Sequence, residues 1–392
     1  MRLSLLNGKD RTIAGMDAVP AISGEDMHEE RNYGIDALRV AATMMVVIHH
    51  VLHFGGLLSL KEAGEAICFE AWLLEALSFG AVNCYALISG YIGVKRKPRI
   101  ASLMTMWLQV AGYSTALVVA MELVAPERVN MSSWLTGLMP VVNNKYWYFT
   151  AYFLLFFMMP LLNELLTKGE RSVLRRGIAV SLCALVGVMA IAKRDVFVFA
   201  DGYSAAWLIM LYLVGGYLKL YGEEERFFVY LRQRGIWVYL GIALMMAAVN
   251  SVLLRREIGL PFGLKIERYR DLYNYMSVPV VTLSIALLAW FSAWRPSPRL
   301  CRWIGRLAPA AFGVYVIHMH PNVVEICITN RFAWLGDFGP LLMPLGVIAV
   351  SMVIYVICTA IDLIRMALFR LLRVRQLCQR IADFAESGPF CR

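Results

Sequence analysis

LLMPLGVIAVSMVIYVICTAI, residues 341–361, runs for twenty-one residues without a single charge. A helix rises about 1.5 Å per residue, so this run covers about 31 Å, the hydrocarbon thickness of a bilayer. Lipid offers the backbone no water, and a helix satisfies its own peptide hydrogen bonds there. Met104–Leu123, Leu211–Leu218, Val238–Leu254 and Val278–Trp294 share this character, with almost no charge. The alternation of a membrane barrel strand occurs in none of them. The chain therefore reads as an all-α, polytopic integral membrane protein with about ten transmembrane helices.

Working outward from these runs places spans at Tyr33–Gly55, Ala66–Val94, Ile100–Leu123, Tyr146–Leu166, Arg176–Ala192, Ala205–Tyr221, Ile236–Leu254, Tyr273–Trp294, Pro309–Thr329 and Pro340–Leu368. Ser132–Val142 is apolar but too short to cross, and reads as re-entrant. Residues 1–30 lack the apolar core of a signal peptide and read as a short cytoplasmic tail. The transmembrane domain then occupies 31–372, and 373–392 forms a basic, amphipathic tail suited to the lipid head groups.

Composition agrees. Of 392 residues, 59% are hydrophobic and only 17% charged, with mean hydropathy +0.61. A soluble domain is nearer half apolar and a quarter charged. The net charge of +10 does not signal nucleic acid, because the basic residues cluster at the ends of the apolar runs. The eight cysteines are scattered, without CxxC or zinc-ligand spacing. With the N-terminus inside, the inner loops hold Lys95–Arg99, Lys168–Arg176, Lys219–Arg234 and Arg295–Arg306, and the inner tail holds Arg365–Arg380. The outer loops are poorer in cations, Arg255–Arg270 excepted. By the positive-inside rule both termini face the cytoplasm.

Ionisable residues inside a membrane are costly and mark function. The first span holds Asp36, Arg39, His49, His50 and His53, and the ninth holds His318 and His320. Arg39 and His50 are eleven residues apart, which returns them to within about 20° of one face, about 16 Å apart along the axis. Asp36 stands one turn before Arg39, where it orients the guanidinium or forms a helix-end ion pair. No acidic or thiolate partner stands at a spacing that would make a metal site of His50, His53, His318 and His320, so none is expected.

Arg31–Arg39 followed by His50 resembles the first helix of the membrane-bound acyltransferase-3 family. Val82–Tyr91 resembles the family's segment ending in Ser-Gly-Tyr, and Arg96-Lys-Pro-Arg99 its Arg-x-x-Arg element. Tyr146–Tyr152, running on to Pro160–Asn163, resembles its fourth helix, and Phe312–His318 its late Tyr-x-x-His segment. Cys84-Tyr85 departs from the two aromatics of many relatives. The doublet His49-His50 allows two registers, and the family's spacing from Arg39 selects His50, leaving His49 as packing.

The resemblance implies an enzyme that moves an acyl group, by default acetyl, from acyl-CoA to a hydroxyl of an envelope carbohydrate or related small-molecule acceptor. It implies the bacterial plasma membrane, no tightly bound cofactor, acyl-CoA as co-substrate and no nucleic-acid partner. A thioester is already activated, so a neutral imidazole at His50 that takes the acceptor's proton suffices as base. Arg39, Arg96 and Arg99 suit the phosphates of coenzyme A, although Arg96 and Arg99 also serve topology. His318 orients His50 or holds the acceptor, near Tyr315. Lys145 is placed to meet an acidic acceptor. Asn83 and Ser89 read as helix-packing groups, and Tyr146, Trp147 and Tyr148 as an interfacial aromatic belt. The competing reading is a transporter or flippase for a polar or acylated small molecule.

The topology is testable. Reporter fusions after Val94 and Arg380 should read as cytoplasmic and one after Ile258 as external; an external signal at the C-terminus contradicts the assignment.

Overall fold

The structure is a computed structural model that describes residues 31–60, 64–192, 195–255 and 272–387. Residues 1–30, the end of the C-terminal tail and residues 256–271, with Ile258 among them, lie outside the described residues. The helices are α1 Tyr33–His53, α2 Glu65–Phe79, α3 Ala81–Gly93, α4 Ile100–Val124, α5 Met131–Leu138, α6 Trp147–Lys168, α7 Arg171–Ala192, α8 Ala205–Tyr221 and α9 Arg226–Arg255. They continue as α10 Val278–Ala293, α11 Pro298–Leu307, α12 Ala311–His318, the single turn α13 Pro321–Val323, α14 Leu342–Leu371 and α15 Val374–Ser387. No strand occurs among the described residues.

Nine segments among them are long and apolar enough to cross a membrane, counting α2–α3 and α11–α12 as one each, and the sixteen-residue apolar α10 makes a tenth. Successive spans alternate in direction, which gathers the cation-rich connections at one end of the bundle. There Asn32 caps α1 and donates Nδ2–H to Ser292 O at 3.1 Å. Asn163 of α6 donates to Gly93 O and Arg96 O, both at 3.0 Å. Arg171 pairs with Glu224 and Glu225.

α1 stands in the interior against α2, α3, α10, α12 and α14. Close packing of small residues holds the helices around it, since lipid supplies no hydrophobic drive between them. A Cβ on Gly90 would sit 2.0 Å from Tyr212 O, and one on Gly215 would sit 2.1 Å from Leu87 O, so α3 and α8 touch backbone to backbone. By contrast only 11% of the most apolar window of α7 is buried, which places this helix at the lipid-facing rim.

The structure redraws several predicted spans. The second is two helices that break at Gly80, where a Cβ would lie 2.2 Å from Leu283 and 2.9 Å from Ser284 Oγ. Ser284 Oγ donates to Gly80 O at 3.1 Å, so the break is where α10 is drawn in. The eighth starts at Val278 rather than Tyr273, because Ser277 caps the helix and Pro279 suits its first turn. The ninth does not run from Pro309 to Thr329. It runs from Pro298 to His318 with a 3₁₀ turn at Pro309, and Pro321, two residues past the Met319 cap, keeps α12 from continuing. The fifth and seventh spans reach back to Arg171 and Arg226. The predicted re-entrant segment is the short α5, capped by Asn130 and Ser133 and packed on α4.

Candidate active site

Burial of the Ile35, Leu38, Ala42 and Val46 stripe turns the polar residues of α1 toward its neighbours. Near the basic end, Arg39 Nη1 meets Asp36 Oδ1 at 2.8 Å, and Asp36 is 6% exposed. Asp36 thus forms the expected i,i+3 ion pair with Arg39. The Arg39 carbonyl accepts from Thr43 Oγ1 at 2.9 Å and from Tyr85 Oη at 3.2 Å, and those two hydroxyls touch each other. The Arg39 charge bears on Tyr85, Tyr148 and Tyr152.

Three turns further on, His50 Nδ1 lies 2.9 Å from His318 Nε2, and His318 Nδ1 lies 2.6 Å from Val314 O. A carbonyl only accepts, so His318 Nδ1 carries the hydrogen and its Nε2 carries a lone pair. His50 Nδ1 must then donate to that lone pair, which leaves His50 Nε2 unprotonated. Among the described residues no hydrogen bond reaches this nitrogen, and His50 lines both cavities. The chain of partners fixes the tautomer in which His50 presents a base. His318 is thus the hydrogen-bond partner of His50 Nδ1.

His50 stands where two cavities meet. The inner one, about 60 Å³, is lined by Thr43, Tyr85, Tyr148, Phe312 and Tyr315 among others. The outer one, about 1170 Å³, is lined by His53, Glu75, Asp201, Tyr203, Tyr273 and Asn274 among others. His49, His50, Phe79, Trp147, Tyr275 and Met319 border both. The predicted aromatic belt is corrected here. Trp147 and Tyr148 wall the inner cavity and Tyr146 is 2% exposed, because α6 turns its first turn inward against Tyr315 and Phe312.

Other predicted residues are placed plainly. Tyr315 lines the inner cavity, its ring 6.4 Å from that of His318. Arg96 and Arg99 stand in the α3–α4 connection at the basic end, apart from the cavity walls. Lys145, half-buried, borders neither cavity; burial pushes its ammonium down to about 8, and its charge bears on His320. Asn83 binds Tyr275 O and Trp207 Nε1, and Ser89 binds Tyr85 O, as packing groups do. No set of three or more His, Cys, Asp or Glu side chains able to hold a metal converges among the described residues.

Residues 32–363 match the acyltransferase family 3 profile, an acyltransferase domain. This chain belongs to acyltransferase family 3. It is a multi-pass membrane acyltransferase by family and by fold. No curated protein and no solved structure matches it.

Two acidic residues of this acyltransferase escaped the sequence reading, although both sit inside predicted spans, where a charge is itself a signal. Glu75, 2% exposed, meets His49 Nδ1 at 2.7 Å, so His49 is more than packing. Asp362 is fully buried and accepts from Arg365, from Tyr113 Oη at 2.7 Å and from Gln109 Nε2 at 3.1 Å. Its carboxylate also abuts Gly313, where a Cβ would come within 2.1 Å, and so braces the helix that carries His318. Removing one partner of a buried ion pair strands the other. Asp362→Leu should destabilise the protein by about 3–5 kcal/mol, read as thermal unfolding in detergent. An unchanged midpoint would show that the network carries no weight.

Proposed function

We propose that the protein transfers an acyl group, acetyl in the simplest case, from acyl-CoA to a hydroxyl of an envelope carbohydrate or related acceptor. The observation that carries this reading is the His50–His318–Val314 chain, which leaves His50 Nε2 as a ready base between two cavities. Both termini lie in the cytoplasm of a bacterial plasma membrane, and coenzyme A, too polar to cross, docks at the basic end. Arg39, Arg96 and Arg99 hold its phosphates, and its pantetheine arm passes Arg39 into the aromatic inner cavity. The acceptor comes from the outer cavity.

His50 Nε2 takes the hydroxyl proton as the oxygen attacks the thioester carbonyl. The new C–O bond forms, the C–S bond breaks, and the proton passes from His50 to the departing thiolate. No net proton is gained or lost, so the site needs no path to bulk solvent. His318 holds the imidazolium in place and accepts its Nδ1–H throughout. A carrier has no use for an imidazole whose tautomer is fixed in this way.

With labelled acetyl-CoA as donor, His50→Ala should lose about 10²–10⁴ in transfer rate yet still bind acetyl-CoA. Arg96→Ala or Arg99→Ala should weaken acetyl-CoA binding by about 1.5–3 kcal/mol in calorimetry, and Lys at either position should restore only part because the planar fork is lost. Full transfer by His50→Ala removes the base mechanism, and unchanged binding in both arginine variants leaves them topological only.

A further inference from the structure

His49 faces the cavities as His50 does but has a different partner. Its Nδ1 lies 2.7 Å from Glu75 Oε1, and its ring centroid is 5.1 Å from that of His50. Glu75 has a 3% exposed side chain in a membrane-spanning helix, and its Oε2 has no hydrogen-bond partner among the described residues. A carboxylate is costly to bury there, and an incompletely bonded one more so. Packing alone would be served by an apolar residue at both positions.

The bond to Glu75 has a directional consequence. A carboxylate accepts, so His49 Nδ1 carries the hydrogen, and the ring is held with Nε2 on its far side. Among the described residues no hydrogen bond reaches that nitrogen, and His49 borders both cavities. Two adjacent imidazoles therefore stand where the two cavities meet, each with its Nε2 on the side away from its Nδ1 partner. One is oriented from α12 by His318, the other from α2 by Glu75. Around them Trp147, Tyr275 and Tyr203 form a continuous aromatic wall, with centroids 4.7 Å and 4.8 Å apart for the pairs Trp147–Tyr203 and Tyr203–Tyr275. Such a wall suits the apolar face of a sugar ring, while the imidazoles address hydroxyls at its edge.

We infer that His49, positioned by Glu75, binds a second hydroxyl of the acceptor beside the one His50 deprotonates, so that the site selects acceptors with two neighbouring hydroxyls. This rests on the acyl-transfer reading above and adds the acceptor's pattern to it. His50 chooses which hydroxyl reacts, and His49 fixes the register of the molecule that carries it. A site built to pair with a hydroxyl penalises an analogue that lacks it, because a buried polar group is then left unpaired.

The test uses the full chain in detergent with acetyl-CoA as donor and two probe acceptors, 1,2-propanediol and 1-propanol. Transfer is read as released coenzyme A thiol and acylated product. The wild type should favour the diol by about tenfold or more in kcat/KM, with the advantage in KM. His49→Asn and Glu75→Gln should each bring that ratio close to one. In the double variant the ratio should fall no further, because Glu75 acts through His49. A wild type that treats both alcohols equally overturns the inference. So does a preference that survives in His49→Asn, including the case where both rates fall together. A Glu75→Gln loss that persists undiminished in the His49→Asn background would show that Glu75 does not act through His49. If one single variant fails to fold, the ratio in the other decides. If the wild type transfers to neither alcohol and hydrolyses no acetyl-CoA, the acyl-transfer reading fails and this inference falls with it.

Discussion

A hydrogen bond between two buried imidazoles, His50 Nδ1 to His318 Nε2, sets the terms for the rest of this bundle. Neutral histidine has one donor and one acceptor, so such a pair is stable only if something outside it decides which nitrogen carries the hydrogen. Val314 O decides it from one side. The cost of leaving polar groups unpaired in a low-dielectric interior makes the arrangement strict. α1 must present His50 at the right height, and α12 must stop soon enough to turn His318 back toward it. Pro321 supplies the stop, and the Asp362 network, pressed on Gly313, supplies the bracing. Helices far from the chemistry are thereby bound to it by packing.

The two cavities extend this logic to the substrates. The inner one is narrow and aromatic, and Thr43 and Tyr85 on its wall bond the Arg39 carbonyl. The outer one is wide, and histidine, acidic and phenolic side chains share its wall. A thin, flexible thioester arm and a bulkier hydroxyl compound call for those two shapes. Arg39 lies about three turns from His50, with Asp36 holding its guanidinium. A cation so placed stands well clear of His50.

Much of this was legible in the sequence, for a physical reason. A spanning helix must be apolar and about twenty residues long, so length and charge alone located ten spans. A charge inside such a run has to be justified, so α1 announced Asp36, Arg39 and His50 by itself. The breaks were harder to read. Gly80, Pro309 and Pro321 each punctuate an apolar run, yet whether a glycine or proline bends a membrane helix depends on what packs beside it, and Leu283 and Ser284 are far away in sequence. Glu75 carried the same kind of signal as Asp36, a charge inside an apolar run. The family's spacing selects His50 and leaves its neighbour His49 as packing, so the sequence alone offers the Glu75 carboxylate no partner. Asp362 sat close enough to the arginines of the last helix end to pass for a topological residue. The belt reading of Trp147 and Tyr148 failed because aromatic residues at a helix start suit both lipid interface and cavity wall, and only the packing against α12 separates the two.

In the mechanism proposed above, an acyl group donated at the basic end passes covalently to a hydroxyl on the opposite side, with His50 at the meeting point. Sealed proteoliposomes that carry a polysaccharide trapped inside, and receive acetyl-CoA labelled in both the acetyl group and the coenzyme from outside, put this to the test. The acetyl label should become ester-bound to the trapped polysaccharide while the coenzyme label stays outside, and His50→Ala should abolish the transfer. Intact acetyl-CoA accumulating inside the vesicles, or acetyl label confined to the outside while the enzyme is turning over, would contradict it.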